Sequence, residues 1–591
     1  MHKSIAASAL LLAACAAAPP RRAAAPDPAA RVTALADEYV RAYVASAPEA
    51  AQASGLPNAP DDGLSDNSLA ALAAWQHKVD ELGAALDQID ATALLSRPEW
   101  ITYGYLREAV AGDKAQRVCH FELWPVNQMS GWPSLFAQLA SIQRAGTPEL
   151  RRAALSRWQR LPHYLEVEME NAREGLRRGY STPRRIIREV VSQLDQLLAL
   201  APEKTPFFDP ARRDGDAEFQ RQWKGFIAEE LFPVVRRYRA FLADEYLARA
   251  REALAVTANP DGLACWKGAF RAQTTLERDP DETYRLGEAR VASMTSEAQA
   301  LAKKNIGTDD LAAIVRWLGE DRTDRFKSRD EVLAFAKSAV ARAHDVMPKM
   351  FNGLPQADVL VQPIPEMLEA EASTGYEPGT ADGSRPGTYR INLGRLDEQR
   401  RSDVEVTAFH ETYPGHHLQI AIAQRLPKAH SIVTLVGNGS FIEGWARYAE
   451  ALSEDLGLYT TLNGRIHRRM WPGHGMVVDV GLHIKGWSRE EAVRYVESSG
   501  MPAKRAEAMV DRIVVWPAQL TAYDTGALEI LALRKKAEAA LGPRFDLRRF
   551  HDVLLGSGSV TLPMLHQLID RWLAQQQQLP EHVGAASRSG G

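Results

Sequence analysis

Residues 227–242, Ile227-Ala228-Glu229-Glu230-Leu231-Phe232-Pro233-Val234-Val235-Arg236-Arg237-Tyr238-Arg239-Ala240-Phe241-Leu242, set the fold class. Ile227, Leu231, Val234, Tyr238 and Leu242 recur at spacings of three and four, which places them on one face of a helix. Leu35, Tyr39 and Tyr43 carry the same period, and apolar residues keep it from about Val32 to Leu254, so this half is predicted to be almost wholly helical. Pro and Gly clusters such as Gly55-Leu56-Pro57-Asn58-Ala59-Pro60 punctuate the helices, and no fixed internal period marks a solenoid.

Farther along, Asp279-Pro280-Asp281-Glu282 has the cap, first-turn proline and early acids of a helix start, and a long helix is predicted through about Ala302. The pattern changes between Met347 and Leu393. Asp358-Val359-Leu360-Val361-Gln362-Pro363-Ile364 and Gly387-Thr388-Tyr389-Arg390-Ile391-Asn392-Leu393 read as short strands around a Gly- and Pro-rich loop. The fold expected is mainly α with one small β-sheet.

At the amino end, Lys3, the apolar run Ile5 to Ala14 and Leu12-Ala13-Ala14-Cys15 resemble a bacterial lipoprotein signal. The run is shorter than the roughly 20 residues a membrane span needs. That resemblance implies cleavage before Cys15, acyl chains on Cys15, and an exported protein anchored to the membrane. Ala16 in place of an aspartate implies sorting to the outer membrane, on its periplasmic side. Residues 1–14 are then a signal peptide, 15–31 an Ala- and Pro-rich tether, 32–580 one catalytic unit and 581–591 a flexible tail.

The 591 residues are 45% hydrophobic and 25% charged, values of a globular chain with a large core. A net charge of −4, from 71 basic and 75 acidic residues, gives no overall pull toward nucleic acid, and none is expected as a partner. Oligomeric state is not legible. Cys119 and Cys265 are the cysteines after Cys15, and either a single disulfide or two buried thiols fits them.

The chemistry concentrates at His410-Glu411-Thr412-Tyr413-Pro414-Gly415-His416-His417. Glu405 to Phe409 contain no helix breaker, so His410 and Glu411 are predicted on a helix starting near Ser402. A histidine ligand followed at once by a glutamate aimed at water is the logic of H-E-x-x-H zinc peptidases. The second histidine of that motif should fall at position 414, which is proline, so it must be His416 or His417. A bulge across Tyr413-Pro414-Gly415 would return His416 to the face of His410, whereas His417 on an unbroken helix would lie about 10 Å farther on. His416 is favoured and His417 stays open. The third ligand is expected to be a carboxylate on the next helix, Glu443 in its first turn ahead of Glu450. Glu411 would then be the general base, and Tyr523 the leading donor to an oxyanion, before His474 and His483.

These residues resemble the bacterial family catalogued as domain of unknown function 885. The likeness runs through Val118-Cys119, Glu122 to Gln128, Gly387 to Leu393, His410 to Gln419, Glu443 to Ala446, Val478 to His483 and Pro517 to Gly526. More distantly, the order strand, His-Glu helix, glutamate helix, tyrosine segment is similar to thimet oligopeptidase and thermostable carboxypeptidase type metallopeptidases. That similarity implies a multi-helix shell around a deep cleft, a sheet beside the metal, and a strand at Tyr389 to Leu393 that pairs with peptide. Tyr389, Arg390 and Asn392 would then contact substrate. The function expected is zinc-dependent cleavage of short peptides. The alternatives are a non-catalytic lipoprotein that binds peptides or envelope components and keeps a structural metal, and an amide or ester metallohydrolase.

Overall fold

The helix expected over 227–242 forms inside a longer run from Ala217 to Arg249, but it is not regular. Ile227–Leu231 and Phe241–Tyr246 are π turns, with α-helix over Phe232–Ala240 between them. Pro233 accounts for the first: it has no amide to donate and its ring collides with the carbonyl four residues back, and a wider turn relieves both. All five periodic residues are buried nonetheless, in a core shared with Trp132, Trp158 and Trp223.

The computed structural model describes residues 27–578, apart from 356–357, 365, 367–368, 370–372, 381–384 and 427–429. The signal segment, Cys15, the tether before Asp27 and the tail 581–591 lie outside the described residues. The first helix runs Pro28–Ser46, so residues 28–31 are helical rather than tether. Pro28 is preset for the first helical position and two alanines follow it. Val32, Ala36 and Tyr39 of this helix join a second core that also holds Phe409, Tyr413 and Trp445, the packing around the histidine motif. The helix predicted from Asp279 spans Pro280–Ile306, capped by the Asp279 carboxylate on the Asp281 amide. Among the described residues no helix is long and apolar enough to cross a membrane.

The sheet has three strands, β1 (Leu360–Pro363), β2 (Gly375–Glu377) and β3 (Thr388–Ile391), in the order β1-β3-β2. β1 pairs parallel and β2 antiparallel to β3. The sequence pattern yields β1 and β3 but misses β2, whose three residues are too few to show alternation.

Cys119 and Cys265 form a disulfide, with Cα atoms 4.5 Å apart, among Leu123, Trp124, Trp266 and Phe270. It closes a loop across a sequence separation of 146, which constrains the unfolded chain strongly. Reduction is expected to lower unfolding stability by about 3 kcal/mol. Denaturant midpoints with and without reductant measure this, and coincident midpoints would contradict it.

Candidate metal centre

The histidine helix runs Arg401–Glu411 and stops at Thr412. Rather than bulging and continuing, the chain reverses through Tyr413-Pro414-Gly415 and starts a separate helix, His416–Ala423. Gly415 makes the reversal feasible: a Cβ there would lie 1.9 Å from the His410 carbonyl oxygen and 2.4 Å from that of Phe409. The Trp445 indole N–H fastens the turn by donating to the Pro414 carbonyl at 2.9 Å. His416 is thereby folded back against His410, ring centroids 4.7 Å apart and planes at 87°.

Trp445 belongs to the glutamate helix, Gly439–Asp455, which begins after Asn438. Glu443 sits just past its first turn rather than within it. Glu450, seven residues on, returns to the same face two turns later. Glu443 Oε2 lies 3.4 Å from His410 Nε2 and 3.5 Å from His416 Nε2. The three ligand atoms are within 4.8 Å of one another. For ligands about 2.0–2.1 Å from a tetrahedral centre, neighbouring donor atoms stand about 3.3–3.4 Å apart, which the two Glu443 distances match. Glu443 Oε2 is buried and makes no other hydrogen bond, an orphan that a cation between the three donors would satisfy.

His410 Nδ1 is 2.8 Å from Glu450 Oε1, and Arg447 holds both Glu450 oxygens at 2.9 Å. Donation from Nδ1–H to Glu450 leaves the Nε2 lone pair free for a metal, the usual support behind a histidine ligand. Burial opposes the charged form of the His410 ring, but Glu443 and Glu450 outweigh it and push the ring up to about 10. Burial likewise raises Glu443, and the two imidazoles beside it overcome this and hold it well below the usual carboxylate range. Glu450→Gln is expected to weaken metal binding by about 10- to 100-fold, while His417→Gln changes it by less than about threefold. Competition titration against a chelating dye separates the two.

His417 does not join the cluster. It is wedged between the hydroxyls of Tyr376, 3.0 Å from Nδ1, and Tyr413, 3.1 Å from Nε2. Glu411 stays outside the ligand set but within reach of its charges: burial pushes its carboxyl up, while His416 and His410 pull it back and the Tyr376 amide donates to it. Tyr523 stacks on His410, centroids 6.3 Å apart, with the Arg447 guanidinium 5.7 Å from its ring. Arg512 Nη2 donates to its hydroxyl at 3.3 Å. Burial first, then the Glu443 charge, raise the Tyr523 hydroxyl against the pull of Arg512.

The strand expected to receive peptide is corrected. β3 is the central strand, its backbone taken up by β1 and β2, so among the described residues the sheet edge beside the site belongs to β2. Tyr389 is fully buried with an unpartnered hydroxyl, raised by burial and by the nearby Glu411 charge. Arg390 crosses the sheet to Glu377 at 3.0 Å and Gln362 at 2.7 Å. Asn392 closes a loop on the Glu369 carbonyl at 2.7 Å and the Gly394 amide at 2.8 Å. None of these three is among the clustered donors His410, His416 and Glu443.

His474 and His483 are also taken. His474 stacks on Trp471 at 5.7 Å and bonds its carbonyl at 3.1 Å, and burial lowers its pKa. His483 accepts from the Val256 amide at 3.0 Å and donates to the Ile513 carbonyl at 2.9 Å; burial lowers it to about 4. Arg447 and Arg512 escape a reading of the sequence, because nothing near them in the chain marks them out.

The structure is similar to two solved structures. A protein from Colwellia psychrerythraea, proposed to be a lipoprotein, aligns with TM-score 0.85 at 22% identity over 92% of this chain and 99% of that one. A proposed lipoprotein of unknown function from Shewanella oneidensis aligns with TM-score 0.72 at 19% identity over 91% and 99%. At these identities the likeness shows the fold. No curated protein matches the chain. Over residues 48–569 the sequence matches the family described as bacterial protein of unknown function (DUF885), and the chain belongs to that family.

Proposed function

We propose that this protein is a zinc-dependent hydrolase that cleaves peptide bonds in short peptides. The observation that carries the reading is Glu411: a half-buried carboxylate set among the charges of His410, His416 and Glu443 yet spared from the ligand set. A metal kept for structure alone needs no such group. Two imidazoles and one carboxylate suit zinc among the common divalent ions. Zinc held there supplies Lewis acidity, which acidifies water toward neutrality and polarises a carbonyl.

The protein's own groups do the rest. Glu411 takes the proton of the attacking water and hands it to the departing amine. The Tyr523 hydroxyl stays protonated and donates to the oxyanion. Glu450, itself held by Arg447, orients His410. The chain order of strand, His-Glu helix, glutamate helix and tyrosine segment, similar to thimet oligopeptidase and thermostable carboxypeptidase, supports the same chemistry.

In this reading the enzyme is exported, cleaved before Cys15 and anchored there by lipid on the periplasmic side of the outer membrane. The disulfide suits an oxidising compartment, and both structural relatives are proposed lipoproteins. Metal analysis joined to a peptide-library digest tests the proposal. The expected result is one bound zinc per chain and cleavage that stops on chelation and returns with zinc. Absence of bound metal, or cleavage indifferent to chelation, would overturn it.

A further inference from the structure

Two arginines flank Tyr523, and they differ in how their charge is met. Arg447 is neutralised by Glu450 at 2.9 Å. Arg512, on the helix Ala503–Val515, has no carboxylate within 4.0 Å among the described residues. Its Nη2 donates to Gln519 Oε1 at 2.6 Å and to the Tyr523 hydroxyl at 3.3 Å, both neutral acceptors. Its Nε is buried without a partner, and the Trp516 ring lies 5.8 Å from the guanidinium. Asp511, next to it in sequence, is spent on Arg185 at 2.8 Å and Arg489 at 2.9 Å.

A half-buried guanidinium held in a fixed plane by neutral groups is an anion receptor waiting for its charge partner, because a cation drawn out of water is costly until it is paired. Its place beside the Tyr523 hydroxyl limits which anion fits. That hydroxyl serves the scissile carbonyl, and one residue of peptide advances the chain by about 3.8 Å. A carboxylate held by Arg512, whose Nη2 stands 3.3 Å from that hydroxyl, fits the residue immediately after the scissile bond.

We infer that Arg512 binds the free α-carboxylate of the substrate, so that the protein removes single residues from the carboxyl end of short peptides; this rests on the peptidase reading above. In the reaction the last C–N bond breaks, hydroxide from water joins the acyl carbon, and the remaining proton goes to the departing amine, releasing one amino acid. Arg512 touches only the carboxylate, which does not react.

The test compares peptides of one sequence ending in a free carboxylate or in a carboxamide, with the zinc-loaded full chain. The wild type is expected to cleave the free acid about a hundredfold better than the amide, the range of a hydrogen bond to a charged group. Arg512→Gln should lose about a hundredfold on the acid and cleave both within about threefold. Arg512→Lys, which keeps a cation, should retain part of the preference. Equal cleavage of acid and amide by the wild type, or an undiminished preference in Arg512→Gln, would overturn the inference. Calorimetric binding of the same peptides to zinc-loaded Glu411→Gln protein separates this from failure of the peptidase reading. If the wild type cleaves neither peptide, tighter binding of the acid, lost on Arg512→Gln, still upholds the anion site, and equal binding removes it.

Discussion

Glu411→Gln is expected to lower kcat/KM on a short peptide by about a thousandfold or more while leaving metal content unchanged. Glutamine keeps the size of the side chain and can still accept from the Tyr376 amide, but it cannot take a proton from water. Because Glu411 lies outside the candidate ligand set, metal binding is expected to survive the substitution. Glu443→Gln should behave differently, losing metal and activity together, since its Oε2 is the donor shared between His410 and His416. Steady-state kinetics with metal analysis on both variants checks the division of labour. Metal loss in Glu411→Gln would make that residue a ligand, and full activity would remove it from the chemistry.

Gly526→Ala is expected to destabilise the fold by about 3 kcal/mol and to cost activity as well. Gly526 lies on the helix Thr521–Leu541, where a Cβ would stand 1.7 Å from the Ser440 carbonyl oxygen and 2.9 Å from Gly444 Cα. Gly444 is equally constrained, its own Cβ position being 2.5 Å from Gly526 Cα. The obstacles are backbone atoms, so the two helices must separate. They carry Glu443 and Tyr523, and separation pulls the proposed ligand and the proposed oxyanion donor apart. Gly225→Ala is the control: it is helical, meets nothing within 4 Å, and should stabilise by about 0.5–1 kcal/mol. Thermal unfolding of the two variants should move in opposite directions; a Gly526→Ala midpoint equal to wild type would refute the packing account.

The helical class and the cluster of candidate donors were legible because both rest on local spacing. Ile227 to Leu242 announces a helix, and the structure brings His410, His416 and Glu443 of the motif segments together. The π turns at Ile227–Leu231 and Phe241–Tyr246 were not legible, since apolar period survives a local widening of the helix. Which histidine follows His410 depended on a chain reversal that only tertiary contacts define. The edge assignment failed for a related reason: a strand's neighbours are not written in the strand, and β2, too short to detect, occupies the side of β3 that peptide was expected to use. Arg512 is the extreme case, because the reading proposed for it lies in the carboxylates that are absent around it among the described residues.

The Trp445 bond to Pro414 bears on how the centre behaves as the fold loosens. His410 and His416 sit on separate helices, and a side chain from a third segment fixes the turn between them. The site is therefore not portable: residues 401–423 excised as a peptide lack both the brace and the third donor. Metal capture becomes a gauge of tertiary integrity, and ion release on warming or in mild denaturant should precede the loss of helical signal.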